Sequence, residues 1–145
     1  MSERTTILVA DDDLDDIFFL RRAFEKSGLN YSLMAVRDGQ EAIDYLRGAA
    51  GYTDRLQFPL PRLLLLDLKM PRFNGFDVLT WLKKQPDFQQ LPVVVLSSSG
   101  QDDDLQRARA MGADDYRVKP AEFDDLLKLA QELADHWIEA KHVSA

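Results

Sequence analysis

Acidic residues that follow apolar segments are the first candidates for chemistry in this sequence. Asp11, Asp12 and Asp13 come directly after one apolar run, and Asp67 follows another. Clustered carboxylates repel one another unless a positive group joins them. A hard divalent cation is the usual partner, and a site built only from oxygen ligands selects magnesium over zinc or copper. The pair Asp11 and Asp12 therefore predicts a Mg²⁺ site.

A serine and a lysine in similar positions extend the predicted chemistry to phosphoryl transfer. Ser97 and Lys119 each follow a strand-like segment, as Asp67 does. A carboxylate can act as a nucleophile and form an aspartyl phosphate. Asp67 fits that role because it is the single acid at the end of its segment. A hydroxyl and an ammonium group could then balance the charge of the transferred group.

Five short apolar segments alternate with helical patterns, and this order predicts an α/β fold. The predicted strands are Ile7–Ala10, Ser32–Val36, Leu63–Leu66, Pro92–Leu96 and Tyr116–Val118. Runs that are apolar on both faces are typical of parallel strands with helices on both sides of the sheet. Sites in such doubly wound sheets form beyond the carboxyl ends of the strands. We therefore expect the candidate residues to meet at one edge of the sheet.

Composition excludes several other kinds of site. The net charge of −7 argues against a nucleic-acid-binding surface and against docking on an anionic membrane. The sequence has no cysteine, so disulfides and thiolate metal sites are excluded. Both histidines, His136 and His142, lie near the C-terminus, which argues against a histidine-based zinc site. With no candidate membrane span and no signal peptide, we expect a cytoplasmic protein.

The length of 145 residues fits a single domain, and 46% apolar residues suffice for its core. The predicted core covers about residues 6–135, followed by a C-terminal helix extension over residues 136–145. Trp137 and Ile138 in that extension are apolar side chains that a tail would not normally expose. We expect this segment to help form a homodimer.

Four motifs, taken together and in order, resemble the receiver domain of bacterial response regulators. They are Ala10–Asp11–Asp12–Asp13, Leu66–Asp67–Leu68–Lys69–Met70–Pro71 with Asn74–Gly75, Leu96–Ser97–Ser98, and Tyr116–Arg117–Val118–Lys119–Pro120. Each motif alone has weak specificity, whereas the full set at strand ends is highly specific. The resemblance covers roughly residues 6–135. It implies a flavodoxin-like, five-stranded parallel sheet of order 2-1-3-4-5.

The resemblance implies a role for each acid of the predicted site. Asp67 would accept a phosphoryl group from the phosphohistidine of a sensor histidine kinase. Mg²⁺ would be bound directly by Asp12 and Asp67, by the backbone carbonyl of Lys69, and by Asp11 through water. Lys69 and Ser99 would influence how fast the phosphoryl group is hydrolysed.

The same resemblance implies a conformational switch. Lys119 and Ser97 would contact the phosphoryl oxygens, and Ser97 and Tyr116 would form the switch pair. The Ser97 hydroxyl would move toward the phosphoryl group while the ring of Tyr116 turns inward. The Lys119–Pro120 peptide bond would be cis, an isomer that is common only before proline.

The segment 48–62 is longer than a crossover of this family needs. In this feature the chain is similar to single-domain regulators encoded beside bacterial phytochrome kinases, although a kinase of another kind stays open. No output segment is recognisable after the receiver motifs, so we expect output through protein contacts or phosphate relay. The predicted readout surface is helix 4, strand 5 and helix 5. A homodimer would use this face or the C-terminal extension.

Two other functions stay open from the sequence. A Mg²⁺-dependent aspartyl-phosphate phosphatase would share the nucleophile and the metal, but such enzymes need a second aspartate two positions after the nucleophile. That position is Lys69, so we expect a domain that catalyses only its own phosphoryl transfer and dephosphorylation rather than an enzyme. A structural partner domain that is never phosphorylated is the second alternative.

Overall fold

The computed structural model describes residues 5–28 and 30–139, which form a parallel sheet with helices on both faces. The strands are β1 (Thr5–Ala10), β2 (Tyr31–Val36), β3 (Leu63–Leu66), β4 (Val93–Ser97) and β5 (Asp115–Val118). The helices are α1 (Leu14–Lys26), α2 (Gly39–Arg47), α3 (Gly75–Lys83), α4 (Asp102–Ala110) and α5 (Phe123–Leu133). A short 3₁₀ turn, Pro86–Phe88, precedes β4, and a π-helical turn, Ala134–Glu139, continues α5.

The strand order is β2-β1-β3-β4-β5, and every adjacent pair is parallel. This confirms the predicted flavodoxin-like sheet. The register places Ala10 of β1 beside Leu66 of β3, and Leu66 beside Val95 of β4. The residues that follow these strands therefore leave the sheet at nearly the same level.

Alternate residues of the central strands pack into two separate cores. Leu8, Leu64 and Val95 face one core, which contains side chains of α2 and α3. Ile7 and Leu63 face the other, which contains side chains of α1 and α5. Because both sheet faces are covered, the strands have no polar face, which explains their continuous apolar sequences.

Side-chain caps fix where three helices begin. Asp13 caps α1 by accepting hydrogen bonds from the backbone N–H groups of Asp15 and Asp16. Asp38 caps α2, and Asn74 caps α3 in a reciprocal capping box. Each cap satisfies N–H groups that have no partner within the helix. The cap at Asp13 is important for the site because it holds the first turn of α1 directly after the acidic cluster.

The long segment between α2 and β3 is braced against the domain by one arginine. The guanidinium of Arg55 donates hydrogen bonds to the carbonyls of Tyr45 and Leu46, at distances of 2.8 Å, and to that of Phe58 at 3.1 Å. Two of these carbonyls belong to the last turn of α2, so Arg55 acts as its C-terminal cap. Leu56, at the tip of the segment, is 94% exposed.

The apolar side chains after α5 pack against the domain itself. Ile138 is only 1% exposed and packs in the α1–α5 core, beside Leu129 and Leu133, and Trp137 packs partly against the same core. Ile138 therefore needs no partner subunit to bury it, because the continued helix packs it within the same chain, and a homodimer formed through this segment stays a prediction. The rest of the predicted extension, residues 140–145 with His142, lies outside the described residues.

In the ranges 5–28 and 30–139, no helix combines the length and the apolar character that a membrane crossing requires.

Candidate functional site

The carboxyl ends of β1 and β3 bring the predicted acids together. The backbone N–H of Asp67 donates a hydrogen bond of 2.9 Å to the carbonyl of Ala10, which extends the ladder between the two strands. One carboxylate oxygen from each of Asp11, Asp12 and Asp67 lies within 4.8 Å of the others. Asp11 and Asp67 are buried, whereas Asp12 is exposed. The predicted metal residues thus converge at one sheet edge.

The chemistry of this oxygen cluster fits Mg²⁺. Two buried carboxylates and one exposed carboxylate supply hard ligands on one side and leave the other side open to water, and Mg²⁺ usually keeps several waters. The backbone of Lys69 adjoins the cluster, because its N–H lies 3.3 Å from Oδ1 of Asp67. The Lys69 side chain is exposed, so it supplies no acid or base inside the cluster.

A glycine allows the loop after β3 to fold tightly around Asp67. Gly75 begins α3, and its N–H donates to the carbonyl of Leu68 at 3.0 Å. A Cβ atom at this position would overlap the carbonyl oxygen of Asp67, which no side chain tolerates. The Asn74–Gly75 pair of the sequence motif therefore has a steric reason in addition to the helix cap.

Lys119 reaches from the end of β5 into the cluster and contacts three carboxylates. Its Nζ lies 2.7 Å from Oδ2 of Asp11, 2.8 Å from Oδ2 of Asp16 and 3.2 Å from Oδ2 of Asp67. The contacts with Asp11 and Asp67 agree with the predicted placement of the lysine. The contact with Asp16 was not anticipated from the sequence, which gives no reason to distinguish Asp16 from its neighbour Asp15.

Burial and charge shift the pKa values of the two central groups. Burial raises the pKa of Asp11 to about 6, although hydrogen bonds from Lys119 and from the backbone N–H of Asp13 act in the opposite direction. Burial alone would lower the pKa of Lys119, but hydrogen bonds with Asp11 and Asp16 and the nearby negative charges raise it above its usual value. Lys119 is therefore protonated throughout the physiological pH range.

The raised pKa of Asp11 predicts a pH dependence of Mg²⁺ binding. Below pH 6 a proton occupies Asp11 and must be displaced before the metal binds, so affinity should fall as the pH falls. We expect affinity at pH 5 to be roughly tenfold weaker than at pH 7. Isothermal titration calorimetry at both pH values measures this. In Asp11→Asn, which cannot titrate, affinity should be weaker at pH 7 and should change much less with pH. An equal pH dependence in both proteins would contradict this role of Asp11.

Ser97, at the end of β4, is fully buried. Its carbonyl accepts a hydrogen bond of 2.8 Å from the backbone N–H of Lys119, which ties the end of β4 to that of β5. Its hydroxyl accepts a hydrogen bond of 3.2 Å from the backbone N–H of Ser99. Ser97 therefore joins the site through its main chain, while its hydroxyl is engaged within its own loop.

Ser99 connects the two residues of the predicted switch pair. The ring of Tyr116 is buried, and its hydroxyl donates a hydrogen bond of 2.7 Å to the carbonyl of Ser99. The hydroxyl of Ser99 in turn donates to Oδ2 of Asp104, in the first turn of α4, at 2.8 Å. Tyr116 is thus in the inward orientation, and Ser99 links it to Ser97 and to α4.

The predicted geometry of the Lys119–Pro120 bond requires correction. The bond is trans, and among the described residues no peptide bond is cis. The trans isomer is the intrinsically favoured one before proline, by about 0.5–1 kcal/mol. All three carboxylate contacts of Lys119 are made with this isomer.

A groove leads from the site between α1 and α5. It has a volume of about 380 Å³, with Asp11, Asp16 and Lys119 at its polar end and Phe19 and Phe123 among its apolar walls. Phe19 is itself exposed, and Leu14 and Phe18 of the same helix are also exposed. The buried acids are therefore accessible from a partly apolar surface.

Comparison with known proteins agrees with this geometry. Residues 7–131 match the family model described as the response regulator receiver domain. The chain belongs to this family. A curated relative, the probable methanogenesis regulatory protein FilR2 of Methanothrix harundinacea, is 37% identical over 91% of this chain and 83% of its own length. The chain is thus a receiver domain of two-component signalling.

Two solved structures of receiver proteins are especially informative. The phosphorylated cyanobacterial phytochrome response regulator RcpA has a TM-score of 0.86 and 30% identity, over 95% of this chain and 96% of its own. The Mn²⁺-bound form of the response regulator Rcp1, a protein of Synechocystis sp., has a TM-score of 0.81 and 31% identity, over 93% of this chain and 95% of its own. One relative was therefore observed with a phosphoryl group and the other with a divalent cation.

Proposed function

We propose that this receiver accepts a phosphoryl group on Asp67 and that one receiver domain accounts for residues 1–145. The observation that carries the proposal is the position of Asp67. Its buried carboxylate belongs to the acidic cluster that could hold a metal ion and also lies 3.2 Å from the ammonium group of Lys119. A carboxylate in this position can attack a phosphorus atom while the metal ion and Lys119 offset the negative charge of the incoming oxygens.

The remaining residues have distinct roles in this proposal. Asp12, Asp67 and the backbone carbonyl of Lys69 would hold Mg²⁺ directly, and Asp11 would hold it through water. When bound, Mg²⁺ offsets the negative charge of the phosphoryl oxygens. Lys119 donates hydrogen bonds to those oxygens from the opposite side. The convergence of the three acids and the approach of Lys119 support these roles.

The switch couples the acceptor to the face formed by α4, β5 and α5. The Ser97 hydroxyl gives up its bond with Ser99 and donates to a phosphoryl oxygen. Because Tyr116 and Asp104 also bond to Ser99, this movement alters the packing of the loop before α4. Phosphorylation thereby shifts an existing equilibrium between two conformations.

In this proposal the receiver is cytoplasmic, and its phosphodonor is a sensor histidine kinase of the bacterial phytochrome class. The relative RcpA supports the class of kinase, because it is a cyanobacterial phytochrome response regulator. We place kinase docking at the groove between α1 and α5, where exposed Phe19 forms part of the wall and Asp11 and Lys119 lie at the polar end. Intact-mass measurement after incubation with acetyl phosphate, with and without Mg²⁺, tests the acceptor chemistry independently of any kinase.

Homodimerisation is a further part of the proposal, and we assign it to the α4–β5–α5 face. This face carries charges of both signs, with Arg109 near Asp115 at 3.9 Å and Arg117 paired with Glu132 at 2.6 Å, and Val118 is exposed beside them. Such a surface can be self-complementary across a two-fold axis. A dimer through Ile138 loses its support because this side chain is buried within the chain.

Reversal of one charge on this face should weaken the dimer. Arg117→Glu places like charges at the interface, so we expect at least a tenfold increase in the dimer dissociation constant, measured by sedimentation velocity after phosphorylation. Arg22→Glu makes the same charge change on exposed α1 and should leave dimerisation unchanged. A wild-type protein that stays monomeric at all working concentrations would refute the dimer.

A further inference from the structure

Lys119 is held by three carboxylates, and one of them lies outside the metal cluster. Asp11 and Asp67 each contribute an oxygen to the cluster that could hold a cation, whereas Asp16 does not. Yet Asp16 is as close to Nζ of Lys119, at 2.8 Å, as Asp11 is at 2.7 Å. Asp16 therefore contacts the lysine without belonging to the groups that bind the metal or the phosphoryl group.

The three contacts differ in what happens to them during the reaction. An ammonium group has three N–H donors, and in this structure each has a carboxylate within reach. A bound cation competes for the oxygens of Asp11 and Asp67, and a phosphoryl group on Asp67 is bonded covalently to one of its carboxylate oxygens. The contact between Lys119 and Asp16 is the one that neither event removes.

The backbone around Asp16 makes it a firm anchor. Its N–H group is bound at 3.3 Å by the carboxylate of Asp13, which caps α1. The next residue, Ile17, is buried in the α1–α5 core, which fixes the rotation of the helix. The backbone N–H of Lys119 bonds to β4, but this bond leaves the flexible side chain free to rotate. A separate contact must therefore hold the ammonium group in place.

Exposure indicates where this anchor acts. The side chain of Lys119 is 15% exposed and that of Asp16 is 41% exposed, so their contact lies at the boundary between the buried acids and solvent. At this boundary an unanchored lysine would extend into water, where its ammonium group is better hydrated. Asp16 keeps the ammonium group on the inner side, directed toward Asp67.

We propose that Asp16 is a positioning residue that holds the ammonium group of Lys119 toward Asp67 and thereby accelerates phosphoryl transfer. The inference rests on the proposed function, because acceleration requires that Asp67 be the acceptor. One N–H of Lys119 stays with Asp16, and the other two are directed toward the incoming phosphoryl oxygens. Asp16 itself touches neither the metal nor the reacting atoms.

Whether removal of the Asp16 carboxylate slows or speeds labelling by acetyl phosphate distinguishes a positioning role from a purely electrostatic one. Acetyl phosphate is an anion, so removal of any negative charge near the site should speed its approach. Loss of a positioning contact should slow the reaction instead. Asp15 provides the matched control, because it lies in the same turn of α1, carries the same charge and is exposed.

The experiment compares Asp16→Ala, Asp16→Asn and Asp15→Ala with the wild-type protein in two assays. The first measures reductive methylation of Lys119 by peptide mass spectrometry with and without Mg²⁺. Asp16→Ala should react faster than the wild-type protein, and by a larger factor when Mg²⁺ competes for Asp11 and Asp67. The second measures the rate of labelling by acetyl phosphate at saturating Mg²⁺. We expect Asp16→Ala to be slower by roughly five- to tenfold, the size expected for a partly exposed charged hydrogen bond. Asp16→Asn, which keeps an oxygen acceptor, should recover part of the rate.

The outcomes distinguish this inference from the proposed function. Labelling of Asp16→Ala at the rate of Asp15→Ala, or unchanged methylation of Lys119, would overturn the positioning role while the acceptor assignment stands. A wild-type protein that is not labelled would overturn the proposed function and, with it, any acceleration by Asp16. Slower labelling of Asp16→Ala together with faster methylation of Lys119 would establish the positioning role.

Discussion

Asp67→Asn is expected to abolish phosphorylation completely while leaving the fold intact. The amide has no nucleophilic carboxylate oxygen, so no aspartyl phosphate can form at this position. The substitution preserves the shape of the side chain and removes one of several clustered negative charges, so we expect the free energy of unfolding to change by less than about 1 kcal/mol. Intact-mass spectrometry after incubation with acetyl phosphate and Mg²⁺ measures the result. The wild-type protein should gain one phosphoryl group only when Mg²⁺ is present.

The control for this experiment is Asp87→Asn, which makes the same chemical change at an exposed residue of the 3₁₀ turn before β4. That variant should be labelled as the wild-type protein is. Labelling retained in Asp67→Asn would show that another residue is the acceptor. Labelling of the wild-type protein without Mg²⁺ would contradict the proposed role of the acidic cluster.

Lys119→Met is expected to destabilise the protein strongly in the absence of divalent cations. Methionine fills a similar volume but leaves the buried carboxylates of Asp11 and Asp67 without their positive partner. Removal of one member of a buried charge pair typically costs about 3–5 kcal/mol. Urea unfolding at pH 7 with a chelator present measures the loss. Addition of Mg²⁺ should recover part of it, because a ligand that binds only the folded state stabilises that state.

The loss in the free energy of unfolding caused by Lys119→Met should depend on pH, because it arises from the same charges. Lys119 lowers the pKa of Asp11, so in the variant this pKa lies above the wild-type value of about 6. The loss of stability should therefore be largest well above pH 6, shrink as the pH falls toward 6, and change little below it. Lys128→Met, at an exposed position of α5, removes the same charge without touching the site and should have little effect. A Lys119→Met protein as stable as Lys128→Met at pH 7 would contradict the structural role of Lys119.

The sequence by itself determined the sheet and the main members of the site. Strands covered on both faces must be continuously apolar, so their positions can be read directly from runs such as Leu63–Leu66. A parallel sheet then places the residues after those runs at one edge. This rule alone predicts that Asp11, Asp67 and Lys119 lie together, and their convergence is confirmed.

Only the tertiary structure decided which further side chains contact the site residues and which apolar residues outside the strands are buried. Asp16 differs from Asp15 only because the packing of α1 against α5 turns it toward Lys119, and Ser99 joins Tyr116 to α4 through bonds between separate elements. The burial of Ile138 likewise depends on where the helix after α5 lies, not on its local sequence. Local patterns determine which residues end a strand or face a core. Contacts between residues far apart in the chain depend on the angles and distances at which whole helices pack, and these are set by the complete core.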